Sequence, residues 1–179
     1  MKLAVNDQIQ LSEIRSADTP SLVEHLAAKE IYDRTLRIPD PYTETHAETW
    51  LAIVAKNADR HGQPIDLAIR DRSGKLIGCL SFDGLDVERT HRAEIGYWLA
   101  KPYWGRGIMS EVVPVACRWA FVEFGLAKIT AWVFAFNAAS SRVLEKCGFE
   151  QEGYLKKHYR KDGRLIDARI FAKFDDRAE

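Results

Sequence analysis

The chain has 179 residues, with 26 Lys and Arg against 26 Asp and Glu, so its formal net charge is zero. That balance excludes a broadly basic nucleic-acid binder, and a composition 46% hydrophobic and 29% charged excludes disorder, collagen and coiled coil. No apolar run approaches the roughly 18 to 20 residues of a spanning helix, and MKLAVNDQIQ lacks the apolar stretch of a secretory leader, so the chain reads as soluble and cytoplasmic.

The length suits one compact domain, 1-179, with a sizeable core. Cys79, Cys117 and Cys147 are odd in number and widely spaced, with no CxxC pair, and read as reduced, buried thiols rather than metal ligands. No metal is expected.

In chain order, QIQLSEI is a short strand. DTPSLVEHLAAKE opens with Asp18 as a cap and an early Pro20, and Leu22, Val23 and Leu26 recur at helical spacing. In TETHAETWLAIVAKNADR, Thr45 stands three residues before Glu48, the spacing of a capping box. Trp50, Leu51, Val54 and Ala58 share one face of this second helix, which ends near Gly62. The period then changes: IDLAIRD and KLIGCLSFDGL are two strands turned at Ser73-Gly74, and HRAEIGYWLA is a third.

After KPYWGRG comes the helix IMSEVVPVACRWAFVEFG, with Met109, Val112, Val113, Ala116 and Ala120 on one face. Pro114 removes the helical partner of the Ser110 carbonyl. KITAWVFAF is a strand and NAASSRVLEKCGF a capped helix closed by Gly148. The last hairpin turns at Lys161-Asp162-Gly163. No linker or repeat of domain size interrupts this order, which reads as an α+β, mixed-sheet domain.

Gly105 and Gly107 lie between a strand and a helix, where glycine lets the backbone approach a ligand and the helix start presents unpaired N–H groups to an anion. Arg106 adds a cation. The turn lacks the third glycine of a dinucleotide fingerprint and the GK[ST] of a Walker loop. A second constellation follows about thirty residues on: Asn137, Ser140, then LEKCGF.

With EIGYWL, PYWGRGIMSE and NAASSRVLEKCGF in this order and spacing over most of its length, the chain resembles the GNAT superfamily of acetyl-CoA-dependent N-acetyltransferases, in its RimJ/RimL-type group. The resemblance implies a mostly antiparallel sheet splayed at EIGYWL. Trp98 and Leu99 would pair with the pantetheine arm through main chain. Gly105, Arg106, Gly107, Ile108 and Met109 would cradle the pyrophosphate, and Asn137 would orient pantetheine. Trp104 departs from the usual Gln or Arg of the loop pattern, Met109 from a small residue, and Leu144 from a common Tyr. That last departure moves the acid role to Ser140.

Acyl transfer to an amine needs a base, an oxyanion donor and an acid for the departing thiolate. Glu94 on the splayed strand is the expected base, with a water chain as the alternative. A backbone N–H of residues 97 to 99 is the expected oxyanion donor. His91 and Tyr97 are alternative bases, placed by strand alternation opposite Glu94. Cys147 has no activating partner in the pattern and reads as a small core residue, so transfer is direct.

Around the early helices Asp33, Asp40, Glu44 and Glu48 outnumber Arg34 and Arg37, a mild bias toward a cationic amine. The acceptor implied by the resemblance is a protein or peptide N-terminus. The alternatives are a small amine such as a polyamine, amino sugar or antibiotic, and a CoA-binding module without turnover. A homodimer is implied by the same analogy. Residues 156 to 164, KKHYRKDGR, hold five Lys and Arg and one Asp, a local +4 that leaves −4 for the rest of the chain. This hairpin reads as a solvated turn, with no direct nucleic-acid binding and no membrane contact expected.

Overall fold

The computed structural model describes residues 1–85 and 90–175. Its elements are β1 (Lys2–Ala4), β2 (Gln10–Glu13), α1 (Thr19–Leu26), α2 (Lys29–Arg34), α3 (Glu44–His61), β3 (Asp66–Arg70), β4 (Leu76–Asp83), β5 (Arg92–Leu99), α4 (Ile108–Phe124), β6 (Lys128–Phe134), α5 (Ala138–Lys146), β7 (Glu150–Lys161) and β8 (Arg164–Phe174). Hydrogen-bonded neighbours follow the order β1-β2-β3-β4-β5-β6-β8-β7. The sheet is mostly antiparallel, with β5 and β6 parallel. By internal contacts the chain divides into two compact units: Met1–Ser81 with Tyr97–Ile108, and the described residues of Phe82–Gly96 with Met109–Glu179.

In the first unit, α1, α2 and α3 bury Leu22, Leu26, Ile31, Tyr42 and Ala47 with Ala68, Leu76 and Cys79, and Trp50, Leu51 and Trp98 pack against this cluster. Burial pushes the Tyr42 phenol up to about 12, so it stays neutral. Gly62 closes α3 in the left-handed conformation (φ 66°).

Three local expectations change. The helix expected over 18 to 30 stops at Leu26, and Ala28 turns extended (φ −73°, ψ 114°) to start α2. The capping box of α3 is Thr43 with His46, not Thr45 with Glu48. Thr43 has the extended backbone a cap needs (φ −119°, ψ 168°), and Thr43 Oγ1 accepts the His46 N–H, whereas Thr45 already lies inside the helix. Asp18 precedes α1 but gives it no side-chain cap.

The Asp18 carboxylate instead receives both arms of Arg70, at 2.7 and 2.8 Å, and the Arg15 N–H at 2.8 Å. Arg70 also donates to Ser12 Oγ at 2.6 Å and to the Glu13 and Gly74 carbonyls at 2.8 and 3.2 Å. All five guanidinium N–H groups therefore have acceptors, the condition for burying this cation. The pair ties β2, β3 and the start of α1 together.

In the second unit, β5 pairs in parallel with β6 at Arg92↔Lys128, Ala93↔Ile129 and Glu94↔Thr130. β6 continues along β8 from Lys128↔Phe174 to Phe134↔Ala168. The last hairpin turns on Asp162 and Gly163, both left-handed (φ 49° and 74°), as a two-residue hairpin loop demands. α4 buries Met109, Val112, Val113, Ala116, Cys117 and Ala120 and is one helix through Pro114. The Ser110 carbonyl, which Pro114 cannot serve, accepts the Cys147 thiol at 3.7 Å.

Asp18→Ala would leave the buried Arg70 guanidinium unpaired, and urea denaturation should show a loss of about 3 to 5 kcal/mol. A loss below about 1 kcal/mol would mean the pair is not the tie described.

Candidate functional site

The sequence places its candidate residues on three features: the strand β5, the turn into α4, and the first turn of α5. Along the part of β5 in the second unit burial alternates: Ala93 and Ile95 are buried, Glu94 is half-buried and Gly96 is exposed. In the part in the first unit, Tyr97 and Trp98 are both half-buried and Leu99 is buried. His91 does not belong to this alternation. It lies before the strand with a left-handed backbone (φ 47°), and its carbonyl accepts the Ala127 and Lys128 N–H groups.

In the first unit, Lys101–Tyr103 form a short 3-10 turn after β5, and Gly105 and Gly107 follow at φ 74° and 78°. A Cβ at either glycine would meet nothing within 4 Å, so glycine is required there by backbone conformation and not by crowding. Arg106 is exposed, its guanidinium 5.5 Å from the Tyr103 ring centroid. Tyr103 reaches Asp71 Oδ2 at 3.4 Å.

Trp104, a departure from the expected loop pattern, donates its indole N–H to the Leu99 carbonyl at 2.6 Å. One lone pair of the Leu99 carbonyl is thus already taken. Arg34 lies over the Trp104 ring at 5.3 Å. Neither contact could be read from spacing, because an indole between Tyr and Gly carries no period; a lone aromatic with a donor in a glycine turn is the signal that was there.

The first unit ends at Ile108, where α4 begins, and the first helical N–H groups have no intrahelical acceptor. The Met109 side chain is 7% exposed and turned into the core, so its size does not bear on what the backbone there can hold. On α5, Asn137 is the N-cap and its Oδ1 accepts the Ser140 N–H at 3.3 Å. That bond orients the amide, whose NH2 end remains a donor group. Ser140 is half-buried on the first turn; its neighbour Ser141 is buried, with Oγ unpartnered among the described residues.

Leu144 is fully buried, so this position offers packing and no polar group. At the end of α5, Lys173 Nζ donates to the Cys147 carbonyl at 2.9 Å, closing a helix terminus that Gly148 (φ 78°) turns away from. Burial pushes the Cys147 thiol up, with Lys173 opposing. Cys117 is pushed up to about 12 for the same reason, and Cys79 well above its ordinary value.

The acidic bias of the early helices is partly neutralised. Lys29 stands 3.5 Å from both Asp33 and Asp40. Glu44 and Glu48 line an open depression of about 570 Å³ with Thr19 and Leu51. Trp50 packs against the core, as expected. Among the described residues no group of three or more His, Cys, Asp or Glu is placed to hold a metal, and no helix is long and apolar enough to cross a membrane.

Three comparisons bear on this site. The chain is 37% identical over 98 residues to the uncharacterized N-acetyltransferase YoaA of Bacillus subtilis, a match that spans 55% of each protein, so the chain covers about half the length of that relative. It is 28% identical over 171 residues to the L-amino acid N-acetyltransferase AaaT of Escherichia coli, covering 93% of this chain and 98% of that one. In fold it matches RimL, a ribosomal L7/L12 alpha-N-protein acetyltransferase solved with coenzyme A, at a TM-score of 0.89 and 19% identity over 98% and 99% of the two chains. The acetyltransferase (GNAT) domain family matches residues 8–150, and the chain belongs to that family.

Proposed function

We propose that the chain is a single N-acetyltransferase domain, 1-179, that passes the acetyl group of acetyl-CoA directly to a primary amine at a protein or peptide N-terminus. The observation that carries the reading is the turn into α4. Two left-handed glycines with open space beside them precede a helix start whose N–H groups have no intrahelical acceptor.

Acetyl-CoA supplies an activated thioester and an anionic pyrophosphate. Gly105, Arg106, Gly107, Ile108 and Met109 hold the pyrophosphate, chiefly through main-chain N–H groups, which do not depend on the side chains that depart from the family pattern. Trp98 and Leu99 pair with the pantetheine arm by main chain. The Asn137 amide, already fixed by its cap bond, orients the same arm.

A free N-terminal ammonium has a pKa of about 7.7 to 8.0 and is unreactive while charged, so Glu94 accepts the amine's proton. A backbone N–H of residues 97 to 99 donates to the oxygen that becomes negative. Ser140 donates to the departing thiolate, a role Leu144 cannot fill. No step needs a metal or an acyl-cysteine. The likeness to RimL supports the protein N-terminus as acceptor. The near full-length match to AaaT supports a second reading, a small amine such as a free amino acid. The same reading makes the protein a cytoplasmic homodimer, which light scattering after gel filtration reads directly.

Thiol release from acetyl-CoA, measured against N-terminal peptides, amino acids and polyamines, separates these acceptors. Release fastest with peptides supports the first reading, and release fastest with free amino acids replaces it with the second. No release with any acceptor despite CoA binding leaves a binding module and removes the catalytic reading. Glu94→Gln should lower kcat by about 10²-fold or more and erase the acidic limb of its pH profile. Ser140→Ala should cost roughly tenfold in kcat with CoA affinity kept.

Because burial holds all three thiols protonated, the native protein at pH 8 should react with no Ellman's reagent and the unfolded chain with three equivalents. Cys147→Ala should keep turnover and lose about 1 kcal/mol of stability, as the Ser110 carbonyl loses its donor. Loss of all turnover with CoA binding intact would instead make Cys147 an acyl carrier.

A further inference from the structure

Two residues one helical turn apart on α2 grip the segment that feeds the glycine turn. Glu30 forms an ion pair with Lys101, and Arg34 lies over the Trp104 ring at 5.3 Å while its Nη1 donates to the Glu30 carbonyl at 2.9 Å. Trp104 in turn donates to the Leu99 carbonyl at 2.6 Å, and its backbone N–H donates to Lys101. The contacts run unbroken from α2 through one indole to the last residue of β5. Gly105 comes next in the chain.

A turn built on two left-handed glycines has much backbone freedom to lose when it closes on an anion. How much is lost before the ligand arrives depends on what holds the turn's amino-terminal flank, because an ordered flank lowers the ordering cost of binding. Here the flank is held by an aromatic side chain whose exposed face carries a cation from a separate helix. The indole N–H fixes the ring to β5, and the guanidinium fixes it to α2.

We propose that Trp104 is a positioning residue through which Arg34 on α2 sets the readiness of the glycine turn to bind the coenzyme's phosphates. This rests on the coenzyme reading of that turn. Substituting either residue loosens the same turn, so their effects on coenzyme binding overlap instead of multiplying. A donor without the pyrophosphate does not use the turn and does not sense the loss of Arg34.

The test measures CoA binding by calorimetry for wild type, Arg34→Ala, Trp104→Phe and the double variant, with KM and kcat for acetyl-CoA and for acetyl-pantetheine. Each single change should weaken CoA about 3- to 10-fold and raise KM for acetyl-CoA, with kcat little altered in Arg34→Ala. The double variant should bind no more weakly than Trp104→Phe alone, and acetyl-pantetheine kinetics should be unchanged in Arg34→Ala. Arg34 is exposed, so Arg34→Ala folds even if the indole substitution does not. Wild-type affinity in Arg34→Ala, multiplied losses in the double variant, or an equal loss with acetyl-pantetheine in Arg34→Ala would each overturn the proposal. Failure of the wild-type protein to bind CoA would overturn the coenzyme reading itself, a different result from binding that is indifferent to Arg34.

Discussion

The carboxyl end of β5 is where the first unit is least free to move. A Cβ on Gly78 would stand 2.6 Å from the Trp98 carbonyl oxygen and 3.2 Å from the Leu99 Cα, so only glycine on β4 lets this backbone come so close. The Ala100 N–H donates to the Ile77 carbonyl at 2.8 Å, and the indole of Trp104 takes the Leu99 carbonyl. Three consecutive residues are thereby held from three sides. The position of the glycine turn, and of any backbone donor offered to a thioester from this strand, follows from that hold.

The parts of the fold carried by short-range signals were legible from the sequence. The 3.6-residue recurrence of Met109, Val112, Val113, Ala116 and Ala120 marks a helix whose buried face holds all five. Two left-handed residues between alternating runs mark the last hairpin. A boundary failed where two threonines could serve as the cap: Thr43 takes the role with its extended backbone, and Thr45, the expected cap, lies inside α3.

Long-range polar partners were not legible. Asp18 looks like a helix cap because its neighbours do, yet its carboxylate belongs to an arginine 52 residues away. Of the site, the glycines, Asn137 and Ser140 could be picked out by type and spacing. The Trp104 bond to Leu99 could not, since nothing in a pattern says which carbonyl an indole will find. Charge behaves the same way. The basic hairpin is a run of like charge in the sequence, but in the fold His158 stacks on Trp132 at 4.7 Å and the Lys157 N–H donates to Asp167. Asp167, held below the usual carboxylate range chiefly by its bond from Tyr154, sits across the strand pair as an anion within that basic stretch.

Pro114 and Cys147 form a single exchange. The proline takes away a helical donor and the thiol, 37 residues from Ser110 in the chain, returns one. A chain that replaced the proline would restore the helical N–H and release position 147 from donating, after which alanine or valine would serve there as well. A chain that kept the proline and lost the thiol would carry a buried carbonyl with one partner fewer. The two positions are therefore tied in what substitutions they accept, although neither side chain has to touch the other.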